Sequence, residues 1–369
     1  MYFDSAATTL QKPPQVGRAM VNALRHCASV GRSGHRAAME AAETVFACRE
    51  AAARLFDAEA EQVVFTMNAT HGLNIALRSL CKPNMRVVCS GFEHNAVLRT
   101  LRALGVELRI AGRGLFDAQG CLREFAEALS DGAELVVCNC CSNVFGYVLP
   151  TQEIAVLCRS YGVPLILDAS QVAGTFPVSL KDSGAAFIAM PGHKGLYGPQ
   201  GTGILLCANG GEPLLYGGTG GNSLSSTMPD FLPDRLEAGT HNVCGIAGLL
   251  EGLRFVQRVT PQRILHHERQ LLTDVARGLS TVEGVRLFTG NGQCGVLSLT
   301  VENRDCEELA QELARRNVAV RAGLHCAPLA HESAGTLPDG TLRLSFSAFN
   351  TRQEGEHLVE ICKKVFTKV

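Results

Sequence analysis

Nowhere in this chain of 369 residues does an uninterrupted apolar run approach the ~20 residues that a helix needs to cross a bilayer. The opening segment MYFDSAATTL also lacks the basic stretch and apolar run of a secretory leader. Both absences point to a cytoplasmic protein with no membrane partner. An excess of one charge is missing too: 34 Lys and Arg stand against 35 Asp and Glu, and no basic run forms. Nucleic acid is therefore not an expected partner. The fifteen cysteines are scattered and odd in number, and the one close group, Cys138, Cys140 and Cys141, crowds a strand end where alternate side chains point to opposite faces, so neither a disulfide framework nor a metal site is expected. They read as small buried hydrophobes of a reducing compartment.

What is present is ordinary globular composition, 46% hydrophobic and 19% charged, in a chain long enough for two domains. Short aliphatic runs at 62–67, 86–90, 135–140, 164–170, 185–190 and 201–207 read as strands. Helix-period segments at 71–80, 95–105, 121–130 and 151–162 alternate with them. Strands buried on both faces and alternating with helices define an α/β domain with a largely parallel sheet. After about residue 250 one long helical stretch leads into a smaller unit of mixed strands and helices, an α+β arrangement. The Gly-, Ser- and Pro-rich loop at 208–235 is long for a connector, which points to a functional or mobile segment.

Two constellations carry chemistry. Asp168 ends the strand read in PLILDASQ, the place where open α/β sheets bind ligands. Lys194 follows in a loop bracketed by Gly192 and Gly195, which allows close approach of a bound group. A desolvated lysine presents a free amine that forms a Schiff base with an aldehyde, and an Asp can keep a pyridine nitrogen protonated. Alone, each residue reads equally as a surface lysine and a helix-capping Asp. The second constellation is Arg321 to Cys326, a Gly-bearing loop in which Arg321 and His325 stand near a cysteine.

LILDASQ followed by GHKGLYGPQGTGIL resembles the Asp strand and lysine loop of class V aminotransferase-fold enzymes, and most of all the cysteine desulfurase and selenocysteine lyase family. YFDSAATT, FTMNATHGLNIAL, EHNAV, SNVFGYVLP, RLEAGTHNVCGIAGL, VRAGLHCA and RLSFSAFNT follow that family's signatures in order along the chain. The resemblance implies the fold-type I architecture of pyridoxal 5'-phosphate (PLP) enzymes. A large α/β domain with a mostly parallel seven-stranded sheet would span 15–250, and residues 1–14 with 251–369 would form the small α+β domain.

It also implies roles for individual residues. Lys194 holds the cofactor and Asp168 its ring nitrogen. Ala69, Thr70 and His193 hold the phosphate, His94 stacks on the ring and moves protons, and Gln171 meets the ring oxygen. Asn143 faces the ring or the substrate carboxylate. Thr240 reaches the phosphate of a second subunit, so the chain is expected to form a homodimer with shared sites. Arg343 clamps the carboxylate of an amino-acid substrate, with Arg321 beside it, and Cys326 takes the substrate's sulfur as a persulfide. Arg32, His35 and Arg36 are candidates for the entrance. Many relatives have Ser or Thr where this chain has Pro191, which offers neither hydroxyl nor N–H. The brief Arg321–Cys326 connection resembles the short-loop group, which implies a sulfur-acceptor protein. The same scaffold also supports selenocysteine lyase, cysteine sulfinate desulfinase, C–S β-lyase and aminotransferase activities, and a non-catalytic binding protein is a further alternative.

Overall fold

The computed structural model describes residues 1–31, 33–221 and 224–367. Seven strands build the large sheet: β1 (Val63–Thr66), β2 (Arg86–Ser90), β3 (Glu107–Ala111), β4 (Leu135–Asn139), β5 (Leu165–Asp168), β6 (Phe187–Pro191) and β7 (Gly203–Cys207). Their spatial order is β1-β7-β6-β5-β4-β2-β3. Strands β2 to β6 run parallel, and β7 is antiparallel to both its neighbours.

Alternating side chains serve two cores, as the pleat requires. Val88, Val136, Leu167, Ile188 and Ile204 enter a core under the helices Arg36–Phe56, Ala118–Ser130, Thr151–Tyr161 and Val243–Val259. Val87, Val137, Ile166, Ala189 and Leu205 enter the opposite one, under the helices Ala69–Leu80 and Asn95–Ala103. Coverage on both faces explains why these strands read as continuous apolar runs.

Strand β3 escaped the hydrophobic pattern. It lies at the sheet edge, where Glu107 and Arg109 are exposed, so its sequence carries no apolar run. The long helical stretch after residue 243 is two helices, Val243–Val259 and Pro261–Leu279. Thr260 breaks it with φ 75°, and Pro261 starts the second helix where a missing N–H costs nothing.

The smaller sheet is antiparallel, in the order β10-β11-β9-β8, with β8 at Val285–Phe288, β9 at Val296–Val301, β10 at Arg321–Gly323 and β11 at Thr341–Ser345. Helices Pro261–Leu279, Cys306–Ala314 and Arg352–Phe366 supply the rest of its core. Phe3 belongs to that core, and Tyr2 and Asp4 bridge to Ala319 and Ser345, so the N-terminus joins this unit. Helix Val243–Val259 packs against the helices Pro14–His26 and Arg36–Phe56 of the large unit. We therefore infer a domain division at Thr260 rather than at 250.

Candidate active site

The parallel strands deliver their C-terminal ends to one cleft of ≈ 790 Å³, open mouth included. Ala69, Thr70, His94, Asn143, Asp168, Gln171, His193, Lys194, Arg321 and Arg343 all line it, together with Pro191. Segments distant in sequence converge because β1, β2, β4, β5 and β6 each end there. The arrangement follows from the sheet, in which loops after parallel strands share one edge.

Asp168 is the last residue of β5 and only 3% exposed. Its Oδ1 accepts the Ser170 N–H at 2.9 Å. Burial pushes the Lys194 amine down to about 8; Asp168 pulls it up, while Arg343 and Arg321 lower it further. His94 caps the helix Asn95–Ala103, its Nδ1 accepting the Ala96 N–H at 3.0 Å. Burial lowers its pKa, so the ring is neutral with its proton on Nε2. His193 is brought down to about 4 by burial, Lys194 and Lys12, and its Nδ1 meets the Thr8 hydroxyl at 3.0 Å.

Asn68 caps the helix Ala69–Leu80 through its side chain, which accepts the His71 N–H. Asn68, Ala69 and Thr70, at the start of that helix, line the cavity, and the free amides of a helix N-terminus suit an anion. Gly203 makes this entry possible: a Cβ there would stand 2.6 Å from the Thr66 hydroxyl and 2.8 Å from the Asn68 backbone. Gln171 donates its amide to the Ala6 carbonyl at 3.1 Å.

Arg343 is 1% exposed. One arm donates to the Asn143 carbonyl at 2.9 Å and the other to Asp4 Oδ1 at 2.6 Å. Its Nε has no partner among the described residues, nor has Asn143 Oδ1, whose own amide nitrogen is spent on the His325 carbonyl. An orphaned buried polar atom costs about 1–3 kcal/mol. Orphans in the wall of a cleft are donors and acceptors kept for a ligand. With a buried amine, a carboxylate opposite and a helix N-terminus, this donor set fits PLP and an amino acid.

Cys326 stands just outside the cleft lining. It is the exposed cysteine of the fifteen, and fourteen others are buried or half-buried. His325 and Cys326 both take left-handed backbone (φ 47° and 57°), which turns the chain sharply. The turn is held from three sides: Asn143 grips the His325 carbonyl, Asn95 N–H donates to the Cys326 carbonyl at 2.8 Å, and His325 Nε2 lies 3.1 Å from the Thr341 carbonyl. Arg321 Nη2 sits 3.8 Å from the Cys326 sulfur and also lines the cleft, so it joins the two.

Some expected residues lie elsewhere. Thr240 lines a separate cavity with Met67, His71, Thr202 and His241. Its segment is anchored by Glu237, which takes the Arg49 fork, the Phe65 N–H and His241 Nε2. His35 caps the helix Arg36–Phe56, Arg36 pairs with Glu40 on the surface, and neither is among the residues lining the cleft. Arg32 lies outside the described residues. Among the described residues no cluster could hold a metal, and no helix is long and apolar enough to span a membrane.

Sequence reading missed Asp4 and Glu93. Asp4 was visible in YFDSAATT, but its partner Arg343 is 339 positions away. Glu93 is fully buried behind His94, accepting from the Ser90 hydroxyl at 2.5 Å and the Asn139 N–H at 2.7 Å. Burial pushes it up to about 8, against those hydrogen bonds, so it is protonated at neutrality. It ties the end of β2 to the end of β4.

A parallel α/β sheet covered by helices on both faces, with Lys194 and Asp168 at its strand ends and Arg343 facing them from the smaller sheet, defines an amino-acid-handling enzyme class, and the chain belongs to the class-V aminotransferase family, whose model matches residues 1–358. Within that family it is similar to the cysteine desulfurases over its whole length. A probable cysteine desulfurase of Methanothermobacter thermautotrophicus is 31% identical, covering 98% of this chain and 94% of that protein. Probable cysteine desulfurase 1 of Mycobacterium leprae is 30% identical over 99% of this chain, which spans only 62% of that longer protein. The apo structure of a cysteine desulfurase from Thermococcus onnurineus superposes with a TM-score of 0.93 at 30% identity, covering 100% of this chain and 95% of that one.

Proposed function

We propose that the protein is a PLP-dependent cysteine desulfurase that converts L-cysteine to L-alanine and takes the sulfur on Cys326 as a persulfide. The observation that carries this reading is the Arg321 bridge. One guanidinium lines the cleft of Lys194 and Asp168 and touches the exposed Cys326 sulfur at 3.8 Å.

PLP, when bound, withdraws electrons from the substrate's α-carbon. Asp168 would hold its ring nitrogen, His94 its ring face and Gln171 its ring oxygen. Ala69, Thr70 and His193 would hold its phosphate. Arg343 binds and orients the substrate carboxylate, and Asn143, whose backbone carbonyl takes one arm of Arg343, holds that guanidinium in place. With an amine brought to about 8, Lys194 can take and return the α-proton near neutral pH. The Cys326 sulfur then forms an S–S bond with the substrate's sulfur as the Cβ–S bond breaks. The electron pair leaves with the carbon skeleton, which takes up protons and becomes L-alanine.

Thr240 lines a cavity other than its own cleft, which supports a homodimer in which it serves the partner's phosphate. An exposed Cys326 on a fixed turn suits hand-over of sulfur to an acceptor protein. Fifteen unpaired cysteines suit a reducing, cytoplasmic compartment. Borohydride reduction of the holoenzyme followed by peptide mapping tests the cofactor assignment. The adduct is expected on Lys194 and absent from Lys194→Ala; an active-site adduct surviving in that variant overturns it.

A further inference from the structure

Residues 6–12 form a strap from the small domain to the loop that carries Lys194, and the strap ends on a half-buried cation. The Thr9 N–H and the Thr8 and Thr9 hydroxyls converge on the His193 carbonyl at 3.1, 3.2 and 3.1 Å. Lys12 Nζ donates to the same carbonyl at 2.9 Å and to the Thr9 hydroxyl. Among the described residues Lys12 has neither an ion pair nor a charged neighbour that shifts it, and burial alone lowers it to about 8. Its charge is felt by His193, whose ring lines the cleft.

His193 and Lys194 line the cleft, and Lys12 stands behind them, its ammonium on the His193 carbonyl. Pro191, which also lines the cleft, contributes neither hydroxyl nor N–H. A neutral donor would hold the His193 carbonyl without the desolvation cost of an ammonium. A half-buried ammonium with no carboxylate partner among the described residues, held beside His193, is suited to an anion arriving on the far side of that residue.

We propose that Lys12 is a positioning residue for the cofactor phosphate, fixing the His193–Lys194 peptide and supplying the positive charge that offsets the missing hydroxyl at Pro191. The proposal rests on the PLP reading of the cleft. It separates a charge role from a structural one by ligand choice: PLP carries the phosphate, and pyridoxal does not.

The test titrates the full chain, stripped of cofactor, with PLP and with pyridoxal, reading the absorbance of the lysine-bound form. Lys12→Gln is expected to weaken PLP about 10-fold while leaving pyridoxal unchanged, and Lys12→Arg to restore PLP affinity. Should Lys12→Gln fail to fold, acetyl-lysine installed at position 12, which keeps an N–H donor and removes the charge, takes its place. Equal loss of both ligands, or unaltered PLP affinity in the variant, overturns the proposal. Failure of the wild-type chain to bind either ligand would instead remove the PLP reading itself.

Discussion

Arg321 and Arg343 are register partners on the antiparallel strands β10 and β11, and both side chains line the Lys194 cleft. Like charges directly opposite one another destabilise a sheet. Here the two guanidinium groups diverge, since Arg343 gives an arm to Asp4 and Arg321 reaches toward Cys326. The pair thus joins the cleft of Lys194 to the Cys326 turn.

Removing Arg343 should therefore affect substrate more than cofactor. Arg343→Ala is expected to lower kcat/KM for L-cysteine ~100-fold, about 3 kcal/mol for a charge-assisted fork. PLP content should stay at the wild-type level. Arg343→Lys should recover only part, because an ammonium cannot fork. Asp4→Asn leaves a buried guanidinium without its carboxylate and should cost about 3 kcal/mol of stability, read as a fall in Tm.

Lys194 makes the cleft pH-sensitive. Its pKa in the folded chain is about 8 rather than 10.5. Between those values the unfolded chain binds the extra proton, so apoprotein stability gains a contribution as pH rises from 8 toward 10.5. The free amine appears over the same lower limb. The rate of PLP capture by apoprotein should rise with a midpoint near 8, and this contribution should vanish in Lys194→Ala. A midpoint near 10.5 would show an unperturbed amine.

Glu93 shifts the other way, to about 8 from 4.5. From pH 4.5 to 8 the folded state holds the proton more tightly than the unfolded one, so this group's contribution falls as pH rises through 8. Glu93→Gln keeps an acceptor for Ser90 and Asn139 and removes the charge. Calorimetry should find it close to wild type at pH 5 and more stable at pH 9. Glu93→Ala, which orphans both donors, should lose about 3 kcal/mol at either pH.

The sequence motifs made much of this legible, and the losses have physical causes. Asp168 and Lys194 stood out because a strand end and a glycine-bracketed loop are local signals. The helix caps at Asn68 and His94 lay inside motifs already singled out. Long-range pairings left no local trace: Asp4 with Arg343, and the strap from Lys12 to His193, join residues far apart in the chain. Strand β3 was hidden by Glu107 and Arg109, and the break at Thr260 lay inside a helical period that continues on both sides.

Thr240 tests the shared site. Hybrid dimers mixed from Thr240→Val and Lys194→Ala chains contain one cleft with Lys194 and a partner Thr240, and one with neither. If the partner's Thr240 holds the phosphate, the hybrid should bind PLP more tightly than the Thr240→Val homodimer, about 10-fold for one hydrogen bond to a charged group. Equal affinity in the two would show that each chain completes its own phosphate site.

The proposed reaction stands or falls on whether Cys326 takes sulfur from a substrate activated in the Lys194 cleft. Mass spectrometry of the holoenzyme after one turnover with L-cysteine, alongside quantified alanine, decides it. Alanine should appear with one added sulfur on Cys326, alanine formation should collapse in Cys326→Ala while PLP stays bound, and both should be absent in Lys194→Ala. Alanine released from Cys326→Ala at the wild-type rate would rule out Cys326 as the sulfur acceptor.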